Sequence, residues 1–208
     1  AGDQSRPDVA VGASGHTVVA WDSIGAGSSS DTDGLSVQAR LYDRDGAQVG
    51  EPFQVNTYTT GHQLRPAVAV SPSGSFLVVW ESEGSDTDTS DWSVQARAFD
   101  SSGAPLTGEI LVNDWTTGMQ TRARAAAHGN DEFLVTWAGE SESDVAQWAS
   151  EVTAQRFDTA GGKIGSNIDV TESRSDNQVW PTVESEGNGE FVIAWTSFYE
   201  SSETYRAV

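Results

Sequence analysis

The 208 residues carry 31 acidic against 11 basic side chains, a formal net charge of −20; that sign opposes the phosphate backbone and acidic lipid, so nucleic acid and anionic membrane surfaces are excluded as partners. There is no Cys, which removes disulfide and thiol chemistry, and no run approaches the ~18 apolar residues of a membrane span, which speaks against membrane insertion. The 21 Gly among short apolar runs point to an all-β chain, and the eight Trp argue against disorder.

In chain order, the first predicted strand is a short apolar run after a proline, over 8–11. Gly15 turns the chain into a second strand, over 17–21, apolar at nearly every position. Such a strand must be covered on both faces. An acidic loop follows, then an alternating strand over 36–40. The segment Asp43-Arg-Asp-Gly46 suits a type I turn closed by a glycine at positive φ. A fourth strand, over 53–56, is polar on one side.

The same series then returns. Gln4, Gln63, Gln120 and Gln178 are separated by steps of 59, 57 and 58, and Trp21, Trp80, Trp137 and Trp195 by the same three steps. The pairs Tyr42-Asp43, Phe99-Asp100 and Phe157-Asp158 keep the same phase. Three markers in register define a tandem repeat of about 58 residues. Tight turns between successive strands make each copy an antiparallel meander. A lone meander cannot cover a strand on both faces, whereas stacking meanders around an axis can. The fold class is therefore an all-β propeller of four-stranded antiparallel blades, with a β-sandwich as the alternative. Blade 1 is expected over 4–62, blade 2 over 63–119, blade 3 over 120–177 and a partial blade 4 over 178–208. The count is about 3.6 blades where closed rings take about 4 to 8. Further chain or another subunit is thus expected to complete the ring, covering apolar faces on the first and last blades near Val18 and Ile193.

The phrase Val55-Asn-Thr-Tyr-Thr-Thr-Gly61 with Gln63 and Pro66, together with Phe76-Leu-Val-Val-Trp80, Val94-Gln-Ala-Arg97 and Phe99-Asp-Ser-Ser-Gly103, resembles a repeat of large secreted or surface-anchored bacterial proteins. Those proteins often carry hemolysin-type calcium-binding arrays. The resemblance covers nearly the whole chain. It implies a propeller-like β-repeat, an extracellular or cell-surface location, and a non-enzymatic role in adhesion or surface assembly. The third copy departs from it at Thr171-Glu-Ser, and the chain has no glycine-rich nonapeptide array of its own.

Candidate sites fall into three groups. Alternating acids in the loops between second and third strands, Asp31 and Asp33 in one copy and Asp86, Asp88 and Asp91 in the next, could turn several carboxylates toward Ca²⁺, which takes about six to eight oxygens. Neither loop completes an EF-hand, and solvated hairpin loops are the other reading. Tyr58, Trp115 and Trp92 could stack on sugar rings as in a lectin-like propeller, glycans then being the partner; packing between blades is the other reading. Arg6, Arg65 and Arg122, and Arg40, Arg97 and Arg156, recur at or near repeated positions and are expected to make ion pairs between blades. His16, His62 and His128 lack metal-ligand spacing, and no nucleophile elbow, phosphate loop or zinc-protease motif is present, so no catalytic residue is assigned. A polysaccharide hydrolase or lyase is the further alternative, because propellers can carry catalysis at one end of their axis.

Overall fold

The structure is a computed structural model, and it describes residues 2–25, 31, 33–129, 131–140, 150–171, 177–186, 190–198 and, for the backbone only, 205–207. Fifteen strands form four sheets in sequence, with no helix among the described residues. The first sheet is β1 (Gln4–Val11), β2 (Thr17–Ile24), β3 (Leu35–Tyr42) and β4 (Gln48–Gln54). The second is β5 (Gln63–Val70), β6 (Phe76–Glu83), β7 (Trp92–Phe99) and β8 (Ile110–Leu111). The third is β9 (Gln120–His128), β10 (Glu132–Gly139), β11 (Glu151–Asp158) and β12 (Lys163–Asp169). The fourth has β13 (Asn177–Ser185), β14 (Phe191–Phe198) and β15 (Tyr205–Ala207). Every pairing is antiparallel and joins strands consecutive in the chain. This is the β-propeller topology, and it removes the sandwich alternative: four sheets follow one another, each packed on the next, rather than two sheets facing each other.

The core lies between blades, and the period of two along each strand decides which side chains enter which junction. On β6, Phe76, Val78 and Trp80 pack with Val18, Ala20, Val37 and Leu41 of the first blade. The intervening Leu77 and Val79 pack with Phe133, Val135 and Trp137 of the third. Ala126, Leu134 and Ala154 meet Val183, Phe191 and Ile193 of the fourth. The recurring Trp thus fills the junction with the preceding blade. Trp80 and Trp137 are buried there, while Trp21 is only partly buried, its face of blade 1 having no preceding blade among the described residues.

The apolar faces expected at the two ends involve other side chains than Val18 and Ile193. Val18 is buried against blade 2, and Ile193 packs toward blade 3. Their alternates turn outward: Val9 and Val11 at one end are 58% and 66% exposed, and Val192 at the other is 53% exposed.

Two local features depart from the sequence expectations. β1 and β5 begin at the recurring Gln and β13 one residue before it, and all three run through the proline, because each carries a bulge that frees the proline from the ladder. The second strands likewise run on beyond the Trp, as β6 does to Glu83. The outer strands end before the Asn that closes FQVN and ILVN. There the backbone still pairs once, Val55 N donating to Val37 O at 2.8 Å and Val112 N to Val94 O at 2.9 Å. The side chain then takes over: Asn56 Oδ1 accepts from Val37 N at 2.8 Å, and Asn113 Oδ1 from Val94 N at 2.9 Å. The Asp-x-x-Gly turns form as expected. Asp43, Asp100 and Asp158 each accept the N–H groups two and four residues on, with Gly46, Gly103 and Gly161 at positive φ. The Ser102 hydroxyl, helped by the N–H groups of Ala104 and Ser102, holds the Asp100 carboxyl below its ordinary range.

Candidate functional site

The innermost strands β1, β5, β9 and β13 line a central channel of about 440 Å³, walled mostly by Val and Ala. Its polar side chains include Asp8, Arg124 and Glu184. Asp8 is fixed between blades, its Oδ2 accepting the Val68 N–H at 2.8 Å. At the start of the inner strands the channel opens into a second cavity of about 300 Å³, lined by Arg6, Asp8, Arg65, Arg124 and the flanking prolines.

This mouth is built by a backbone feature that all four blades share. Arg6, Arg65, Arg122 and Trp180 stand at equivalent positions and have φ of 47°, 51°, 61° and 54°. Bulky side chains rarely occupy this left-handed region, and each such residue costs about 1–3 kcal/mol unless its surroundings over-determine it. Here they do. Each residue sits in the bulge of its inner strand. Asp22 and Glu81, both buried, follow the recurring Trp of blades 1 and 2. Asp22 Oδ2 accepts from the Arg6 guanidinium of its own blade at 2.9 Å and from the Arg65 backbone N–H of the next blade at 3.1 Å. Glu81 repeats the arrangement, with Arg65 Nη1 at 2.7 Å and Arg122 N at 2.6 Å.

The arginine expectation therefore needs revision. The ion pairs Arg6–Asp22, Arg65–Glu81, Arg40–Glu51 and Arg156–Glu132 lie within single blades. What the arginine positions send across the junctions is a backbone N–H reaching a carboxylate and, at Arg97, a guanidinium donating to Val55 O at 2.8 Å; the ion pair that does cross, between blades 3 and 2, is Lys163–Asp114 at 2.7 Å. The third blade breaks the series, since the position of Asp22 and Glu81 is Ala138. Arg122 accordingly has no ion pair among the described residues. Its guanidinium lies 4.9 Å from the ring centroid of Trp180, which replaces the Arg of the fourth blade. Burial pushes the Arg122 pKa down and Arg65 adds to this, while Glu81 opposes it.

The sequence-predicted metal residues lie away from the channel. Asp31 and Asp88 are buried, and each turns to the Asn that closes its blade. Asn56 Nδ2 donates to Asp31 at 3.1 Å and to Gln63 Oε1 at 3.1 Å. Asn113 Nδ2 donates to Asp88 at 3.3 Å and to Gln120 Oε1 at 3.4 Å. Desolvation raises the Asp31 pKa, only partly offset by the Asp33 N–H and Asn56. Asp33 Oδ2 accepts the Gly61 N–H at 3.2 Å, and Asp86 and Asp91 are exposed. Among the described residues, no three His, Asp or Glu side chains converge as a metal site. In the third copy the corresponding loop offers Glu140, Glu142 and Asp144, of which only Glu140 lies within the described residues, and two further aromatics, Trp148 and Tyr199, lie outside them.

Tyr58 and Trp115 occupy equivalent places just past the outer strands. Their carbonyls accept from Asn56 and Asn113, each at 2.8 Å, and their side chains are partly buried. Trp92 opens β7, also partly buried. None of the three lines the channel or its mouth. Of the residues that do, Asp8, Arg124 and Glu184 were missed because no motif marks them. The signal available was positional: Arg-Pro or Trp-Pro recurring two to three residues after the Gln of three copies.

No protein-family model and no curated protein matches the chain. Solved structures do. A microbial sialidase, Hz136, superposes with a TM-score of 0.63 at 13% identity, over 98% of this chain and 43% of its own. The α-L-arabinanase of Penicillium chrysogenum gives 0.64 at 14% identity, over 98% of this chain and 60% of that one. The endo-arabinase of Bacteroides thetaiotaomicron gives 0.55 at 13% identity, over the whole chain and 75% of its own. The likeness is to propellers of glycan-cleaving enzymes. The chain spans less than half of the sialidase and about three fifths of the Penicillium arabinanase. These neighbours overturn the expectation of a non-enzymatic adhesion and surface-assembly module: they are carbohydrate-processing enzymes, the class held as the alternative. The adhesion reading rested on likeness to surface proteins in a repeat that specifies blades and carries no information about their use.

Proposed function

We propose that this chain is the propeller of a carbohydrate-processing enzyme that takes a glycan at the mouth of its central channel. The observation that carries the reading is the channel itself, a pocket of ligand size with two carboxylates, Asp8 and Glu184, on inner strands of different blades. Glycoside hydrolysis runs on a pair of carboxyl groups, one protonating the leaving oxygen and one acting as base or nucleophile. Asp8 is fixed by the Val68 N–H and Glu184 faces the same channel from the fourth blade, so the two would share the acid role and the base or nucleophile role between them. The fold neighbours supply the class, since several are named for cleaving arabinan or releasing sialic acid. An extracellular setting accompanies the reading, because polymeric glycans are met there. A further blade, from more chain or from another subunit, would cover Val9, Val11 and Val192.

The test is reducing-sugar release from a panel of plant and microbial polysaccharides. Asp8→Asn and Glu184→Gln should each abolish turnover while leaving the thermal melt in place, since an amide oxygen at position 8 can still accept the Val68 N–H and Glu184 is exposed. No release from any polysaccharide, or full activity in both variants, would overturn the assignment.

A further inference from the structure

We infer that the channel mouth selects a saccharide bearing a single carboxylate, such as one uronic acid residue, through Arg122 and Arg124. The inference rests on the proposed glycan site and names what that site prefers. Its starting point is charge. In a chain of net charge −20, the mouth gathers Arg6, Arg65 and Arg124, and Arg122 occupies in the third blade the bulge position that Arg6 and Arg65 hold in theirs. Arg6 and Arg65 are already neutralised by Asp22 and Glu81. Arg122 and Arg124 are not: neither forms an ion pair among the described residues. The sole hydrogen bond described for Arg124's side chain goes to the Ala123 carbonyl.

An unpaired guanidinium in a partly desolvated site favours an anion, and its planar fork matches a carboxylate with two parallel bonds. Trp180, 49% exposed, holds the equivalent bulge position of the fourth blade beside Arg122 and offers an aromatic surface suited to a sugar ring. The third blade keeps the arginine but has Ala138 where the other two place the carboxylate that pairs its side chain, so the Arg122 guanidinium faces no acid of its own blade. The surrounding charge narrows the ligand. A polyanion entering this mouth would meet the repulsion of the remaining acids, so one isolated carboxylate is favoured over a dense run of them.

The experiment is calorimetric titration of the full chain with a matched pair of oligosaccharides. One carries a single uronic acid; in the other that carboxylate is reduced to a primary alcohol. A sulfated analogue of the same backbone forms a third arm. The acidic sugar should bind at least about tenfold more tightly than its reduced partner. Arg124→Gln and Arg122→Gln should each erase that preference, whereas Arg44→Gln, on an exposed outer turn, should leave it intact. Arg122→Lys, which keeps the charge and loses the fork, should retain only part of it. Equal binding of acidic and reduced sugars, or a preference untouched in both Gln variants, overturns this inference and leaves the glycan site standing. A sulfated analogue binding as tightly as the uronate overturns the assignment to a carboxylate. Binding of none of the three removes the glycan site as well.

Discussion

Blades 1 and 2 are built from closely similar sequence, and their side chains nevertheless live in different surroundings. Trp80 is fully buried against blade 1, while its counterpart Trp21 is partly exposed. Arg97 reaches across the junction to Val55 O; its counterpart Arg40 has only Glu51, at 3.4 Å and largely exposed, a pairing of little worth. Gln63 accepts from Asn56, so the Trp80 indole N–H lies buried without a partner. Gln4 meets no such Asn among the described residues and accepts the Trp21 indole N–H instead, at 2.5 Å. Blade 4 follows blade 1 in this respect: Thr171 replaces the Asn ahead of it, and Gln178 accepts from the Trp195 indole at 2.8 Å. The lesson is that the repeat encodes junctions rather than blades. The same Gln and Trp bond to each other or to a neighbour according to what the preceding blade offers.

The comparison is broken most directly at the tryptophans. Trp80→Ala should cost about 3–5 kcal/mol, as for a fully buried aromatic, and Trp21→Ala markedly less. Denaturant unfolding of the two variants checks this, and equal losses would mean that the face of Trp21 is covered in solution. Next comes the Asn that closes a blade. Asn113→Ala leaves the Val94 N–H, the Trp115 carbonyl and Gln120 without their partner, and should cost about 2–3 kcal/mol. Hydrogen exchange should quicken at Val94 in that variant and remain unchanged in blade 1.

Asp22→Asn sharpens the contrast between sharing and pairing. It should weaken the hold on both Arg6 and the Arg65 N–H and cost about 1–2 kcal/mol, given that Arg6 is 44% exposed on its side chain. Chemical denaturation with Arg6→Gln alongside separates the two contributions. The smallest effect belongs to Asp31→Asn. Burial raises the pKa of Asp31 above its ordinary 3.8, so ionisation opposes folding. The stability it offers is fully present below that value and lost as pH rises through the folded pKa. The variant should therefore be as stable as the parent or more so at neutral pH, with the advantage vanishing on acidification. If Asp31 instead served a bound Ca²⁺, the variant would melt lower than the parent in calcium and match it in chelator.

Much of this architecture was legible in the sequence because stacking demands a strand apolar on both sides. FLVVW and FLVTW could be read as β6 and β10 on that ground alone, and the Asp-x-x-Gly turns followed from backbone chemistry. The ends of elements were less legible. Nothing in FQVN or ILVN says that the Asn leaves the ladder and continues it with a side chain. The candidate site was the least legible part. The acidic loops drew attention by charge, yet Asp31 and Asp88 are buried in the joints between blades. Asp8, Arg124 and Glu184 carry no motif, and only the closing of four inner strands around one axis brings them together.

The shared carboxylates also bear on how the protein is made. Asp22 precedes Arg65 by 43 residues, and Glu81 precedes Arg122 by 41. Each acceptor therefore leaves the ribosome before the amide it will receive. A finished blade presents a charged socket, already held by its own arginine, and the next blade need only close a segment of roughly 40 residues, at a similar entropic cost each time. Assembly can then proceed one blade at a time from the N-terminus, as domains are made at about 5–20 residues per second. At Arg65 and Arg122 the left-handed residue would lock last, because its strained backbone becomes favourable only once the socket behind it exists.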